Sequence, residues 1–534
     1  MEKKYNYMNL GQINERVKEE QKRCGPSELA LSLRKKKIEQ IVSKNRIITD
    51  KITSEELFGN NDLRKLCDLS KLLYEEKNIL KINEILDHLY FFLLNIKEPI
   101  STNYIDRSIL IQHLYTKIIA FKDNEILISK SFDVFEEIIR ITPSENSDKF
   151  YRIFNEQYIQ ILYELIDLYQ NNSKIVEKLF TFLANLVVRS YKLKEYLMKN
   201  PGKYLIQTFF SLDTKYPLFF IKLMASFCNL PYIFFKEVKQ FEIMIMEKCE
   251  NIISLFYEEN HTEPKNLINN SVLFKNLFKC LSYMTQSINA EVINAFFIND
   301  KNEITLYEKI LTFTKLNLEN LSIEFLKITG NLFCSSNSNH IKNLIECKSY
   351  QLVFDILSQQ YNNKEIVTLV TWGLSNFVNE SDFRKIFLKG NYINDLITVL
   401  QKFTSYQIIL EILVVILNLL DSMEIPETFS LIGTKLVPCC IELLTNLKEP
   451  NLLMKVLAIV HLILIKSDPK LYLEEYYKNS DDKMINIFKF QFDYAGLDNI
   501  LNNISINNKH ENVRQTAKMI LDHFYSNENK IITD

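Results

Sequence analysis

Val370-Thr371-Trp372-Gly373-Leu374-Ser375-Asn376-Phe377 is the stretch on which the fold turns. It is apolar at spacings of three and four, and a polar amide stands near its end. That spacing suits one face of a helix and not the two-residue alternation of a strand. Similar segments recur at Leu179–Leu186 (LFTFLANL), Leu223–Leu230 (LMASFCNL), Phe278–Thr285 (FKCLSYMT), Leu326–Phe333 (LKITGNLF) and Leu413–Leu420 (LVVILNLL). The marker positions are Asn185, Asn229, Tyr283, Asn331, Asn376 and Asn418, with successive gaps of 44, 54, 48, 45 and 42 residues. Between the segments lie short polar breaks such as Asn362-Asn363, Glu424-Ile425-Pro426 and Lys448-Glu449-Pro450.

Working outward, the helical period holds from about residue 60, as in Leu63, Leu66, Leu69, Leu72 and Leu73. Periods in the forties are those of armadillo or HEAT units, which bury their faces only by stacking and so form a long concave groove. The expected fold is all-α, a right-handed superhelical armadillo-repeat solenoid of about ten repeats. The expected organisation is an arm over 1–50, a linker over 51–62, the solenoid over 63–526 and a short polar tail over 527–534.

Composition agrees. A chain of 534 residues is too long for one compact core, and 47% hydrophobic with 24% charged residues is ordinary for a folded protein. Only nine glycines leave little room for phosphate-cradling loops. Nine cysteines without paired spacing read as reduced thiols of an intracellular protein. The N-terminus lacks the apolar core of a signal peptide, and the longest apolar runs, such as Val456–Ile465, are shorter than a membrane span. Residues 1–50 hold twelve Lys/Arg against seven Asp/Glu, while the whole chain carries −2. A basic arm therefore precedes a mildly acidic body, which argues against nucleic acid as the partner of that body. The charge alone leaves a solvated tail and a partner-binding arm both open.

No HExxH, Walker A, GxGxxG or GxSxG motif is present, and the histidines His88, His113, His261, His340, His461, His510 and His523 lack metal-ligand spacing. These features point to a binding protein, not an enzyme, with no cofactor.

The order of these segments resembles the importin-alpha family. Thr371–Asn376 is similar to that family's Trp-x-x-x-Asn signature, Leu281–Thr285 resembles its repeat with Tyr in place of Asn, and Thr329–Leu332 resembles the repeat that follows. Ala495–Ile500, His510–Asn512 and Ile520–Tyr525 resemble its last repeat, and Leu33–Lys37 with Lys44–Arg46 its importin-beta-binding arm. Pro26 ahead of Ser27 and Glu28 fits the start of an arm helix. The resemblance implies a nuclear-import adapter, resident in cytoplasm and nucleus, with importin-beta and basic cargo peptides as partners. It also implies an export receptor at the C-terminal repeat and no membrane. Implied cargo contacts are Trp372, Asn376, Asn331, Asn418, Glu411, Asn185, Asn229 and Tyr283, and implied importin-beta contacts are Arg34, Lys35, Lys36, Lys37, Lys44 and Arg46. An Asn on the groove wall offers a donor and an acceptor to an extended peptide, and an indole walls a slot for a lysine stem.

The front half of the chain departs from that pattern. Aligned by resemblance, the early tryptophan places fall on Glu136, Thr181 and Ala225 and the paired amide places on Arg140, Asn185 and Asn229; Val414 replaces a later indole. Arg189 stands where the family has an acidic pocket, and an arginine there repels a cargo lysine. Cargo binding is therefore expected at Asn331–Asn418, with weak self-inhibition by the arm. The other reading is an armadillo scaffold with a remodelled groove and no import role.

Overall fold

A computed structural model describes residues 60–96, 109–142, 154, 156–190, 193, 221, 224, 239–260, 271–286, 290–298, 304–316, 318–335, 337–403, 405–468 and 486–525. The arm with Arg34–Arg46, and Ala225 and Asn229, lie outside these residues. Among the described residues every regular element is helical; the first helix begins at Asn60 and the last ends at Phe524. The chain divides into two compact units, Met1–Ile310 and Leu311–Asp534.

In the first unit the apolar segments form a ladder of helices, α1 (Ile79–Leu94), α2 (Glu125–Ile141) and α3 (Ser173–Arg189), each packed on the next. Each starts at an asparagine in extended conformation. Asn78 Oδ1 accepts from Leu80 N–H, Asn124 Oδ1 from Leu127 N–H and Asn172 Oδ1 from Ile175 N–H. Those bonds satisfy backbone donors that no helical carbonyl reaches. The inward faces meet in an aromatic cluster of Phe132, Phe135, Phe154 and Phe182, every ring 1% exposed or less. Burying a phenylalanine contributes about 1.5–3 kcal/mol, so this cluster is a principal anchor of the unit.

The second unit repeats the device. Its ladder is α4 (Leu318–Leu332), α5 (Lys364–Phe377), α6 (Tyr406–Ser422), α7 (Pro450–Lys466) and α8 (Glu511–Phe524), packed in that order. Asn363 caps α5 through Glu365 and Ile366 N–H. Phe377 is sandwiched between Phe333 and Phe383, with ring centroids 3.8 and 3.9 Å away. The apolar run Val456–Ile465 belongs to α7, whose Val456, Leu457, Ile459, Val460, Ile463 and Leu464 are buried. No single described helix is long and apolar enough to cross a membrane.

Two of the nine glycines meet in this ladder. A Cβ on Gly330 of α4 would lie 2.3 Å from the Trp372 indole of α5, and one on Gly373 would lie 3.3 Å from Gly330 Cα. Glycine inside a helix costs about 0.5–1 kcal/mol relative to alanine. Here that cost is offset by the close approach of the two backbones and by the seat it leaves for the indole.

Candidate functional site, the outward face of the helix ladder

Helix starts give the ladder a common register. Trp372 and Asn376 stand eight and twelve residues after Lys364, the first residue of α5. Val414 and Asn418 hold the same two places in α6, and Thr181 and Asn185 hold them in α3. In α7 they are Ala458 and Leu462, and in α8 Met519 and His523. Counted this way, the places in α2 belong to Asp133 and Glu137, not to Glu136 and Arg140. The alignment by resemblance is three residues late there, since the buried positions of α2 stand at the same distances from its first residue as those of α5. In α1 the places are Asp87 and Phe91.

In the first unit the outward face is tied up in bonds between neighbouring ladder helices. Lys130 of α2 lies 2.5 Å from Asp87 of α1, and Lys178 of α3 lies 2.5 Å from Asp133 of α2. Thus each carboxylate at a tryptophan place is neutralised from the next helix. Arg140 reaches the open carbonyl end of α1, donating to Leu93 O at 2.9 Å and Ile96 O at 3.2 Å, and pairs with Glu137 at 2.6 Å. Arg189 donates in the same way to Thr142 O past the end of α2. A cation at a helix C-terminus is favourable, since it meets unpaired carbonyls and the negative end of the dipole. Both arginines therefore act as caps between helices. Glu136 is half-buried, and that burial first, then Asp133 beside it, raises its carboxyl above the usual range. Asn185 is exposed, and Tyr283 is half-buried on the helix Ser271–Met284.

The second unit is built otherwise. Trp372 packs against Gly330 and keeps part of its surface in solvent. Asn376 Nδ2 donates to Trp372 O of its own helix at 3.0 Å, while Asn418 Nδ2 donates to Ser375 O of α5 at 2.8 Å. These bonds fix both amides and leave each with an oxygen and a second N–H for a ligand. Glu411 is 9% exposed and accepts from Gln407 at 2.7 Å, and Asn331 is 8% exposed. Sequence reading thus names Asn331 and Glu411 on the groove wall, and the fold sets both beneath the surface.

The carbonyl end of α5 is met by neutral donors, Asn418 Nδ2 and Ser422 Oγ, the latter 3.3 Å from Val378 O. Beyond the helix, Arg384 donates to Asn379 O and is itself neutralised by Glu427 at 2.8 Å. α4, α5 and α6 hold no basic residue in their last turns. The end of α6 returns to the cationic pattern. Lys466 donates to Leu420, Asp421 and Met423 carbonyls at 2.5, 2.9 and 2.6 Å, and burial lowers its pKa. Among the described residues no three His, Cys, Asp or Glu side chains converge on a possible metal position.

Comparison with solved structures places the fold. A chain from a structure concerned with the interaction of cadherin and beta-catenin is similar over 86% of this chain and 85% of its own, at 11% identity and a TM-score of 0.50. A chain from a structure of Kap95p binding to RanGDP, concerned with nuclear import complex assembly, is similar over 93% of this chain at 12% identity and a TM-score of 0.52, and this chain spans 58% of its length. No protein-family model and no curated protein matches the sequence. The chain is an all-α solenoid of the armadillo type. At these identities the likeness extends to the fold and no further.

Proposed function

We propose that this protein is a nuclear-import adapter that works in cytoplasm and nucleus. It binds a basic localisation peptide along α4–α6 and links it to importin-beta through the basic arm over 1–50. The observation that carries the reading is the trio Trp372, Asn376 and Asn418, seated outward in one register with amide groups to spare. The carbonyl end of α5 supports it too. Where Arg140 and Arg189 cap their neighbours in the first unit, α5 carries only neutral caps, and a peptide lysine supplies the favourable cation there. An export receptor at the last repeat completes the cycle.

One set of observations favours the second reading, an armadillo scaffold with no import role. The Asp87–Lys130 and Asp133–Lys178 pairs occupy the front face with the chain's own charges. Two measurements separate the readings. Trp372→Ala with Asn376→Ala should weaken a fluorescent basic peptide by about 2–4 kcal/mol, and unchanged affinity removes the peptide site. Importin-beta should bind the full chain and not a variant lacking residues 1–50; binding that is absent, or indifferent to the arm, leaves the scaffold.

A further inference from the structure

The outward places of the second unit change character along the ladder. Trp372, Asn376 and Asn418 give way to Ala458 and Leu462 on α7 and Met519 on α8, with Met454 and Ile465 beside them on α7, all half-exposed. Thr516 of α8 donates to Met454 sulfur at 3.6 Å, so these two helices share one surface. Charge changes with it. At the ends of α5 and α6 the exposed carboxylates are Glu380 and Asp421, whereas the first charged side chain of α7 is the half-exposed Lys455; α8 exposes both signs, Glu511, Lys518 and Asp522.

Resting on the peptide-binding reading above, we infer that the bound peptide is mixed in character: basic over α5–α6 and aliphatic over α7–α8. Charge complementarity sets the order, since a basic residue belongs with Glu380, Asp421 and the carbonyl end of α5 and away from Lys455 of α7. Packed helices lie about 8–10 Å apart, so α7 is about 20 Å from α5. An extended peptide advances about 3.3 Å per residue, which separates its basic and aliphatic parts by about six residues. Aliphatic side chains then enter the α7–α8 face, where Leu462 replaces the amide that would hold a backbone.

The test uses the full chain and four fluorescent peptides read by anisotropy. The first is a short lysine-rich core. The second and third extend it by two leucines about six residues to the C-terminal or N-terminal side, and the fourth has those leucines changed to aspartate in the tighter of the two. One extended peptide should bind about tenfold more tightly than the core, and the aspartate version no better than the core. Leu462→Asp should abolish that gain while leaving core binding within about twofold; Ala458→Asp, at a half-exposed place, is the second variant should the first unfold. A core that binds with no gain from either extension overturns this inference alone. Failure of all four to bind overturns the peptide-binding reading with it, and leucine extensions that bind equally well without lysines overturn the mixed character.

Discussion

The two units use one ladder to opposite ends. In the first, outward side chains reach across to the preceding helix as ions: Lys130 to Asp87, Lys178 to Asp133, and Arg140 and Arg189 to carbonyl ends. In the second, between α4 and α6, contacts across the ladder are made mainly by glycine, an indole, an amide and a hydroxyl, beside one looser ion pair, Lys327 with Glu365 at 3.8 Å. A face whose charges are already paired has little electrostatic capacity left for a charged ligand. A face held mainly by neutral groups keeps the carbonyl dipole at the end of α5 available. The same ladder is thus saturated with its own charges over α1–α3 and held mainly by neutral groups over α4–α6.

The sharpest way to break the neutral half of this comparison is at Gly330. Its alanine variant sets a Cβ 2.3 Å from the Trp372 ring, and the ring has to move. Overpacking of this kind costs about 1–3 kcal/mol, and leucine at the same place should cost more. Trp372 is the only tryptophan in the chain, so its emission reports the site directly. Gly330→Ala should lower the melting temperature, shift the emission and weaken peptide binding together. An unchanged emission spectrum would mean that the indole does not rest on Gly330.

The cationic caps come next. Lys466→Met leaves three carbonyls at the end of α6 without their donor, and Arg140→Met does the same at the end of α1. Losing a charged hydrogen-bond partner costs about 1–3 kcal/mol, less at Arg140, which is 42% exposed. Chemical denaturation should show Lys466→Met as the more damaging of the two. Equal and negligible effects would mean that water replaces both caps. A smaller effect still belongs to Asp133→Asn, which removes a part-exposed ion pair worth about 0.2–1 kcal/mol and should leave basic-peptide affinity unchanged.

The helical class, the repeat and the places of Thr181, Asn185, Val414 and Asn418 were legible in the sequence, because each depends on spacing within one helix. What escaped was contact between helices. Arg140 and Arg189 read as lost ligand groups, yet their partners Leu93, Ile96 and Thr142 lie more than forty residues earlier, and no local pattern links them. Resemblance places Glu136 and Arg140 three residues late, whereas the apolar spacing of α2, counted from its first residue, agrees with that of α5. The helix start at Asn124 fixes the register, and an asparagine cap three residues before Leu127 was a readable signal. Gly330 and Gly373 are close in kind: each is one helix glycine until the fold sets them face to face.

The smallest expected effect concerns pH and the second unit alone. His461 of α7 faces His523 of α8, with ring centroids 6.2 Å apart, and Phe524 at 6.1 Å; its Nε2 is buried without a hydrogen-bond partner. Burial first, and His523 second, lower its pKa from the usual 6.5. Burial likewise lowers His340. A histidine whose folded pKa is depressed binds its proton more readily when unfolded. Its contribution to stability is therefore complete above the unfolded value and is lost as pH falls through about 6.5 toward the folded value. Melting temperature should fall between pH 7 and pH 5, and His461→Gln should flatten that slope without abolishing it, because His340 remains. A variant with the full wild-type slope would show that the α7–α8 contact does not sense protonation, and would leave the half-exposed apolar face of α7 and α8 equally open to peptide at either pH.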